Sequence, residues 1–565
     1  MKKIIYRFIL IIIFVFVLLT SYLSIIGIET NKLNKQIENQ IKSLDENLGI
    51  ELNKVKIILD PFNFKINIKT VGSKIKYNEK IVDLESIKTQ ISINSFVNKN
   101  FLLSNLEVST KSLEIKNLIS LIRSFENKPE LYILEKFVKK GYVIADIKLE
   151  FDAKGNIKNN YSIIGFINNF QIDLFKKYKI DKLNLAFNVK NKDYDLQDIN
   201  LLFNDISFVS EKILIKKIND YFSIKGVLEN KNIKLGRTNI DLIKNTFNSN
   251  LNIEKLIFNS KNKFSFKILE KYKIDNLKFV SEIGLNELII ENNLQLKKIF
   301  PKVKKKINFN NHKIKLDYDK KNLFINGDGN ILFQTNNDKI KYNIKKNSKK
   351  SDFSSYLTIS DNEFLIDILN FKKKNDSKLK VSLDGSYFSD KKTTFNVISL
   401  EENKNKIIIN NLVIDKDLKF ESLKSGSLNY LDIDEKMNKV SLFKKKKNYF
   451  VEGLSFNANS LIKNLVDDNK DTDLNIFKEN FNITLDIDKV FLDKKYKVDK
   501  LKGLFYIKKN KILNANLDAL FDQNKVLKFT IDTNQEGKVT TLFMDNAEPM
   551  VNRYKFIKGF ENGSL

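Results

Sequence analysis

From residue 55 onward the chain places its apolar residues at every second position. Val55, Ile57 and Leu59 alternate with polar residues, Pro61 breaks the run, and Phe64, Ile66 and Ile68 resume it. The same period returns at Ile91/Ile93, Leu183/Leu185/Phe187/Val189, Ile199/Leu201/Phe203, Ile314/Leu316/Tyr318, Ile512/Leu517 (with a break between) and Phe529/Ile531. A two-residue period sends successive side chains to opposite sides of a strand, so each set predicts a strand with one apolar face. Helical spacing is rare. Leu33, Ile37, Ile41, Leu44 and Leu48 predict one helix, with Gly49 as its C-cap. NKPELYILEKFVKKG predicts another, with Pro129 in its first turn and Gly141 as its stop. KNLISLIRSF (116–125) and LIKNLVDD (461–468) predict two more. Helices do not alternate regularly with strands, so a parallel βαβ architecture is not expected. The fold class is mainly β: an N-terminal transmembrane helix, then a long curled antiparallel sheet with a few short helices. Roughly 500 residues at about 13 per strand and turn give on the order of 40 strands.

Two recurrences refine this. KKYKIDKL (176–183), EKYKIDNL (270–277) and KKYKVDKL (494–501) repeat one pattern. In the first copy Tyr178 and Ile180 share a face, while Leu183 to Val189 hold the opposite parity, so a bulge or turn is required at Asp181–Lys182. No Gly-rich loop or helix start accompanies the lysines, so the repeat reads as structural rather than as a phosphate cradle. Glycine also interrupts predicted strands at Gly165, Gly226, Gly327, Gly385, Gly453 and Gly503. Each predicts a bulge or bend that lets the sheet curl.

The N-terminus is of a different kind. Lys2, Lys3 and Arg7 precede an uncharged run from Phe8 to Ile28, long enough to span a bilayer. No small-residue cleavage site follows, so the run reads as a retained signal-anchor with the basic flank inside and residues 29–565 outside. The chain carries 98 Lys+Arg against 69 Asp+Glu, a net +29. Only Arg7, Arg123, Arg237 and Arg553 are arginines. Specific readers of nucleic acid lean on the arginine fork, so the charge reads as a coding bias toward lysine, and no specific nucleic-acid partner is expected. The absence of cysteine excludes disulfides and thiolate metal sites. The single histidine, His312, reads as a turn or surface residue. Asp467, Asn469 and Asp471 are spaced like a calcium loop, but Thr472 and Lys478 stand where Gly and Glu are needed. The clusters PKVKKK (301–306) and KKKK (444–447) read as solvated turns, and Glu401–Glu402 as a loop pair. No catalytic residue, metal or cofactor is expected.

The chain resembles the AsmA-like superfamily, which includes the TamB and YhdP groups. The likeness rests on the basic N-terminus, the single anchor and the following helix, then on VKIILDPFNFKINI, KIVDLESIKTQISI and SNLEVSTKSLEIKNL. It continues through the strand–Gly–strand units and YFVEGLSFNANSLIKNLV, and ends in FMDNAEPMVNRYKFIKGFENGSL. What the resemblance implies is a repeating β-groove, anchored in a bacterial inner membrane with its body in the periplasm, that shields phospholipid acyl chains in transport to, or biogenesis of, the outer membrane. Its partners would be those acyl chains, the inner membrane and outer-membrane proteins. The expected segments are 1–28 (cytoplasmic stub and anchor), 29–125 (helix and first β segment), 126–448 (central groove) and 449–565 (C-terminal β segment, stopping short of the family pattern). Leu183, Leu185, Phe187, Val189, Ile199, Leu201 and Phe203 are the expected groove lining. A membrane-tethered β-scaffold that docks proteins through sheet edges is the alternative.

Overall fold

A computed structural model gives the fold. It describes residues 2–549 and 551, apart from 45, 79, 94–102, 126–127, 153–157, 159, 175–177, 248–250, 271–272, 293–295, 389–391, 417–418, 467–479, 509–510 and 535–536. The calcium-like stretch from Asp467 and the last residues of the C-terminal segment fall outside these. The chain forms two compact units: residues 1–233 with 261–279, and residues 234–260 with 280–565.

The first unit opens with helix α1 (Lys2–Ile25), strand β1 (Ile28–Thr30), helix α2 (Asn34–Leu44) and strands β2 (Leu48–Glu51), β3 (Val55–Asp60), β4 (Lys65–Val71), β5 (Lys74–Tyr77), β6 (Lys80–Ser92), β7 (Leu103–Thr110) and β8 (Leu113–Glu114). Helices α3 (Ile115–Phe125) and α4 (Pro129–Phe137) lead into β9 (Val138–Glu150), β10 (Ser162–Leu174), β11 (Tyr178–Lys190), β12 (Asp193–Phe203), β13 (Ile206–Ile218) and β14 (Tyr221–Lys234). An antiparallel ladder runs β1–β3–β4–β6–β7–β9 and on in chain order to β14. The two-residue turns Asn191-Lys192 and Asn204-Asp205 have φ of 50°, 68°, 47° and 66°. Hairpin turns of this length need that left-handed pair, and Asn and Asp adopt it at low cost.

Two glycines expected to end helices do not. Gly49 lies in β2 opposite Lys76, because α2 already stops at Leu44. Gly141 lies in β9, since α4 gives way to strand at Val138. Its φ of +141° brings the backbone under Phe170, where a Cβ would meet the Phe170 Cα at 2.8 Å.

The chain continues through α5 (Arg237–Phe247), β15 (Ile253–Ile268) and β16 (Ile274–Glu291). Helix α5 was not anticipated: RTNIDLIKNTF gives only two turns of apolar spacing, and burial of Leu235 and Ile240 fixes it. Then follow β17 (Lys306–Asp319), β18 (Asn322–Leu332), β19 (Asp338–Lys346), β20 (Lys350–Ile359), the short β21 (Leu365–Ile366) and β22 (Phe371–Lys372), β23 (Leu379–Phe388), β24 (Thr393–Glu402), β25 (Asn405–Ile414), β26 (Phe420–Ser422), β27 (Ser425–Leu431), β28 (Met437–Lys445) and β29 (Asn448–Asn457). Helix α6 (Asn459–Val466) precedes β30 (Phe481–Phe491), β31 (Lys497–Lys508), β32 (Lys511–Leu520), β33 (Val526–Thr533) and β34 (Lys538–Met544).

In the second unit the ladder β17–β18–β19–β20–β23–β24–β25–β27–β28–β29 is antiparallel throughout. The step from β29 to β30 is parallel, Tyr449 opposite Ile483 and Gly453 opposite Ile487. Here α6 carries the chain back, so one βαβ unit interrupts the antiparallel order that the sequence predicts. Its Ile462 packs on the cluster of Val490, Val498, Ala519 and Met544. Fully burying an aliphatic side chain stabilises by about 1.5–3 kcal/mol, and the half-buried Ile462 contributes part of that to docking the helix. The ladder then resumes antiparallel to β34.

The lysine-rich repeat is a bulge unit. Lys182, Asn276 and Lys500, the residues after Asp in the three copies, have φ of 49°, 53° and 56°. In β11 the register shifts between Asp181 and Asn184, and in β31 between Asp499 and Lys502. The bulge flips parity, so Ile180 joins Leu183, Leu185 and Phe187 on one face. The strand glycines meet the expectation in part: the register shifts at Gly385 and beside Gly226 and Gly453, while Gly165 and Gly327 sit in unbroken register. None of the six has a positive φ. They are close-contact sites: a Cβ on Gly165 would meet the Phe187 ring at 2.6 Å, one on Gly327 the Tyr342 ring at 2.3 Å, and one on Gly385 the Phe353 ring at 2.8 Å. An aromatic ring from the neighbouring strand lies over the missing side chain at each of these three, as in the rescue of sheet glycines.

Candidate functional site

Register places the seven expected lining residues on a single face. Leu185 stands opposite Ile167 and Phe187 opposite Gly165. Phe187 also faces Leu196, and the left-handed Asp198 (φ 50°) moves β12 by one residue, so that Ile199 and Leu201 fall on the same side. Ile199 then faces Ser210, Leu201 faces Phe208 and Phe203 faces Ile206. Burial divides the seven. Ile199 is 2% exposed, and Leu185 and Val189 are 8% exposed. Leu183, Phe187, Leu201 and Phe203 are half-buried.

Packing explains the division in part. Helix α3 covers the β9–β11 end of this face, where Ile115 and Ile119 close on Val138, Val143 and Ile172, with Phe187 and Ile180 at the edge of the cluster. Leu201 and Phe203 lie outside that cluster. The Phe203 ring stacks on Tyr178 at 6.0 Å and 15°.

The second unit repeats the arrangement. Ile325, Ile344, Phe353, Leu383 and Ile409 follow one another across β18 to β25 on the glycine-bearing face, and all are half-buried. At one end of the strands Ile359, Phe371, Leu379 and Tyr430 form a closed core, covered by the β21–β22 hairpin. In β29–β34 two closed clusters, around Val498 and around Phe481, leave Leu485, Phe505 and Leu517 half-buried between them. The opposite face carries Lys, Asn, Ser and Asp, with ion pairs such as Lys212–Asp195 at 2.7 Å and Lys255–Glu287 at 2.6 Å. Pairs of this exposure are worth at most about 1 kcal/mol each. Apart from Leu185, Val189 and Ile199, the apolar band thus resembles neither a closed core, where exposure falls to a few per cent, nor a solvated face.

Two residues that sequence reasoning placed at the surface are buried. His312, 1% exposed, follows the left-handed Asn311 in β17 and covers Gly329. Its Nε2–H donates to the Asn330 carbonyl at 2.9 Å, which leaves Nδ1 to accept from the Tyr342 hydroxyl at 3.4 Å. Burial pushes that hydroxyl's pKa up. Glu401 and Glu402 end a strand rather than a loop, and they point to opposite faces. Glu401 pairs with Lys406 at 2.9 Å, which holds its carboxyl below the usual range. Glu402 is 1% exposed and accepts from the Lys374 amide at 2.7 Å, from the Ser377 hydroxyl and from Asn405 Nδ2 at 3.2 Å. It ties the loop after β22 to the sheet. Asp338, also 1% exposed, is pushed up by burial, against hydrogen bonds from Asn362 Nδ2 at 2.7 Å and the Ser360 amide at 3.1 Å. Among the described residues no group of three or more His, Asp or Glu is placed to hold a metal ion.

An exposed apolar patch on the other face of the β9–β10 pair was missed. Tyr142, Ile144, Ile164 and Phe166 are 48%, 49%, 46% and 62% exposed. The signal was present, since GYVIAD and SIIGFI are apolar at both parities.

At the N-terminus α1 is one helix long and apolar enough to cross a membrane, with none of it buried against the protein. Helix length and composition mark it as a candidate membrane span or signal sequence. It ends at Ile25, three residues before the expected limit at Ile28. Gly27 turns the chain with φ +73°, and Ile28 is already paired with Ile57. A Cβ at Gly27 would sit 2.4 Å from the Ile57 carbonyl oxygen, so a side chain there would clash with the strand. Phe8 lies inside the helix, and Lys2, Lys3 and Arg7 form its basic first third.

In comparisons with known proteins, the chain is similar to the protein Ycf2 of Physcomitrium patens, at 27% identity over 566 residues. The match covers 94% of this chain and 23% of that one, so the chain spans less than a quarter of the relative's length. Identity at this level assigns neither a family nor an activity. No family model matches the chain. No solved structure matches it.

Proposed function

We propose that this is a membrane-anchored, non-enzymatic protein whose half-buried apolar sheet face shields lipid acyl chains, as the resemblance to the AsmA-like superfamily implies. In that reading the body lies in the periplasm of a bacterium and serves phospholipid transport to, or biogenesis of, the outer membrane. One observation carries the proposal. In each unit part of the band of large apolar side chains along the sheet, such as Leu201 and Phe203 or Ile344 and Phe353, is half-buried, neither sealed in a core nor replaced by polar residues. Water against such a face costs about 25 cal/mol per Å² of apolar surface, a cost that an acyl chain removes.

Leu201 is the position of choice for a test, because it is half-buried and outside the α3 cluster. A photo-reactive residue there should capture lipid from membranes. Leu201→Asp should impair lipid transfer while leaving the fold intact, and so should Phe187→Asp, though its ring also contacts the α3 cluster. Substituting Lys190 or Lys192, at the β11–β12 turn, should change little. Crosslinks to protein alone, together with unfolding of the Leu201→Asp protein, would make the face a closed core and favour the scaffold reading.

A further inference from the structure

The hairpin between β3 and β4 was expected to keep Phe64 in register with Ile66 and Ile68. Ile66 and Ile68 are buried at 7% exposure, but Phe64 is 73% exposed with φ 52°, and Phe62 is 92% exposed. Two bare phenylalanines on one turn are unfavourable in water. The turn itself is well built. Asp60 accepts from the Asn63 amide at 3.2 Å and from Asn63 Nδ2 at 2.9 Å, and these bonds hold its carboxyl below the usual range. From Pro61 to Phe64 the tip carries no charge.

Its position relative to α1 is fixed by hydrogen bonds. Strand β1 continues from the helix and pairs antiparallel with β3, Ile28 opposite Ile57 and Thr30 opposite Val55. Strand β3 therefore runs back toward the helix. At Leu59 it has reached the last turn, where the Ser24 hydroxyl donates to the Leu59 carbonyl at 2.9 Å. The next residues, Pro61 to Phe64, form the tip of the hairpin directly beyond that contact. Tyr22 is itself 52% exposed, an aromatic at the end of an apolar helix, as at a membrane interface.

We propose that the Pro61–Phe64 tip inserts Phe62 and Phe64 into the interfacial layer of the bilayer that α1 spans, so that the sheet meets the membrane at two points. Continuity with the helix selects lipid as the occupant. The short Ile26–Gly27 link and the Ser24–Leu59 bond leave the tip no route away from the surface once the helix is inserted. The inference rests on α1 as a span and is independent of whether the sheet carries lipid.

The chain contains no tryptophan, so a single introduced indole reports its own surroundings. The full chain carrying Phe62→Trp would be reconstituted in phosphatidylcholine vesicles with acyl chains brominated near the headgroup end. The control is Val71→Trp at the far end of β4, 53% exposed and about 20 Å away by strand rise. The expected result is Phe62→Trp emission to the blue of the control, with bromine quenching that the control lacks. Water-like, unquenched emission from Phe62→Trp overturns the proposal. So does equal quenching at both positions, which would mean that the sheet lies flat on the surface, and so does release of the chain from vesicles by alkaline carbonate.

Discussion

Replacing Gly165 by alanine tests the role assigned to the strand glycines. A Cβ there would stand 2.2 Å from the Ile144 carbonyl oxygen, 2.6 Å from the Phe187 ring and 3.0 Å from the Ala145 Cα. An ordinary carbon–oxygen contact is about 3.3 Å, so strand β9 would have to retreat by about 1 Å along a ladder with neighbours on both sides. Overpacking of this kind costs about 1–3 kcal/mol, and the usual 0.5–1 kcal/mol gain of alanine over glycine in a strand offsets only part. We expect a net loss of about 1–2 kcal/mol. At Gly327 all three nearest atoms belong to the far end of the Tyr342 side chain, at 2.3 to 2.5 Å. That ring can swing aside, so Gly327→Ala should cost about 1 kcal/mol or less, with most of it coupled to Tyr342. Gly236 has nothing within 4 Å of its missing Cβ, and Gly236→Ala should be neutral to about 0.5 kcal/mol. A chain with two units does not unfold in one step, so local hydrogen exchange is the suitable assay. Peptides from β9 and β10 should exchange roughly tenfold faster in Gly165→Ala, since 1.4 kcal/mol is a factor of ten. Unchanged exchange in Gly165→Ala, or a larger effect from Gly236→Ala, would refute the reasoning.

Three further outcomes are expected. Glu402→Ala strands the Lys374 amide, the Ser377 hydroxyl and Asn405 Nδ2, and should cost about 1–3 kcal/mol, whereas Glu402→Gln keeps the acceptor and should cost less; hydrogen exchange of peptides from β23 and β24 in the two variants decides. A phosphatase fused after residue 60 should be active in the periplasm, and a mature chain beginning at residues 25–30 would remove the anchor. Nucleic-acid binding through the +29 charge should be weak and fall steeply with salt. Nanomolar affinity for one sequence at physiological salt would contradict it.

What the sequence determined by itself was the alternation and its interruptions. A period of two is a local property, so the strands Leu183–Val189 and Ile199–Phe203 and their shared parity could be read from residue types alone. The bulge at Asp181–Lys182 was legible for the same reason, because a parity flip within one strand has only a few local remedies. Helices α3 and α6 were visible in their apolar spacing. Other features depended on a partner strand. Whether a strand glycine bends the chain or makes room for a ring depends on what stands opposite: Phe187 for Gly165 and Tyr342 for Gly327. Whether His312 and Glu402 are exposed depends on Gly329 and on the Lys374–Ser377 loop, which are distant in sequence. The parallel step from β29 to β30 follows from where α6 can bury Ile462, and Phe64 leaves its expected face because the Asp60 turn claims it. Local pattern fixes which face of a strand is apolar, but only the packing of distant segments decides how much of that face is covered.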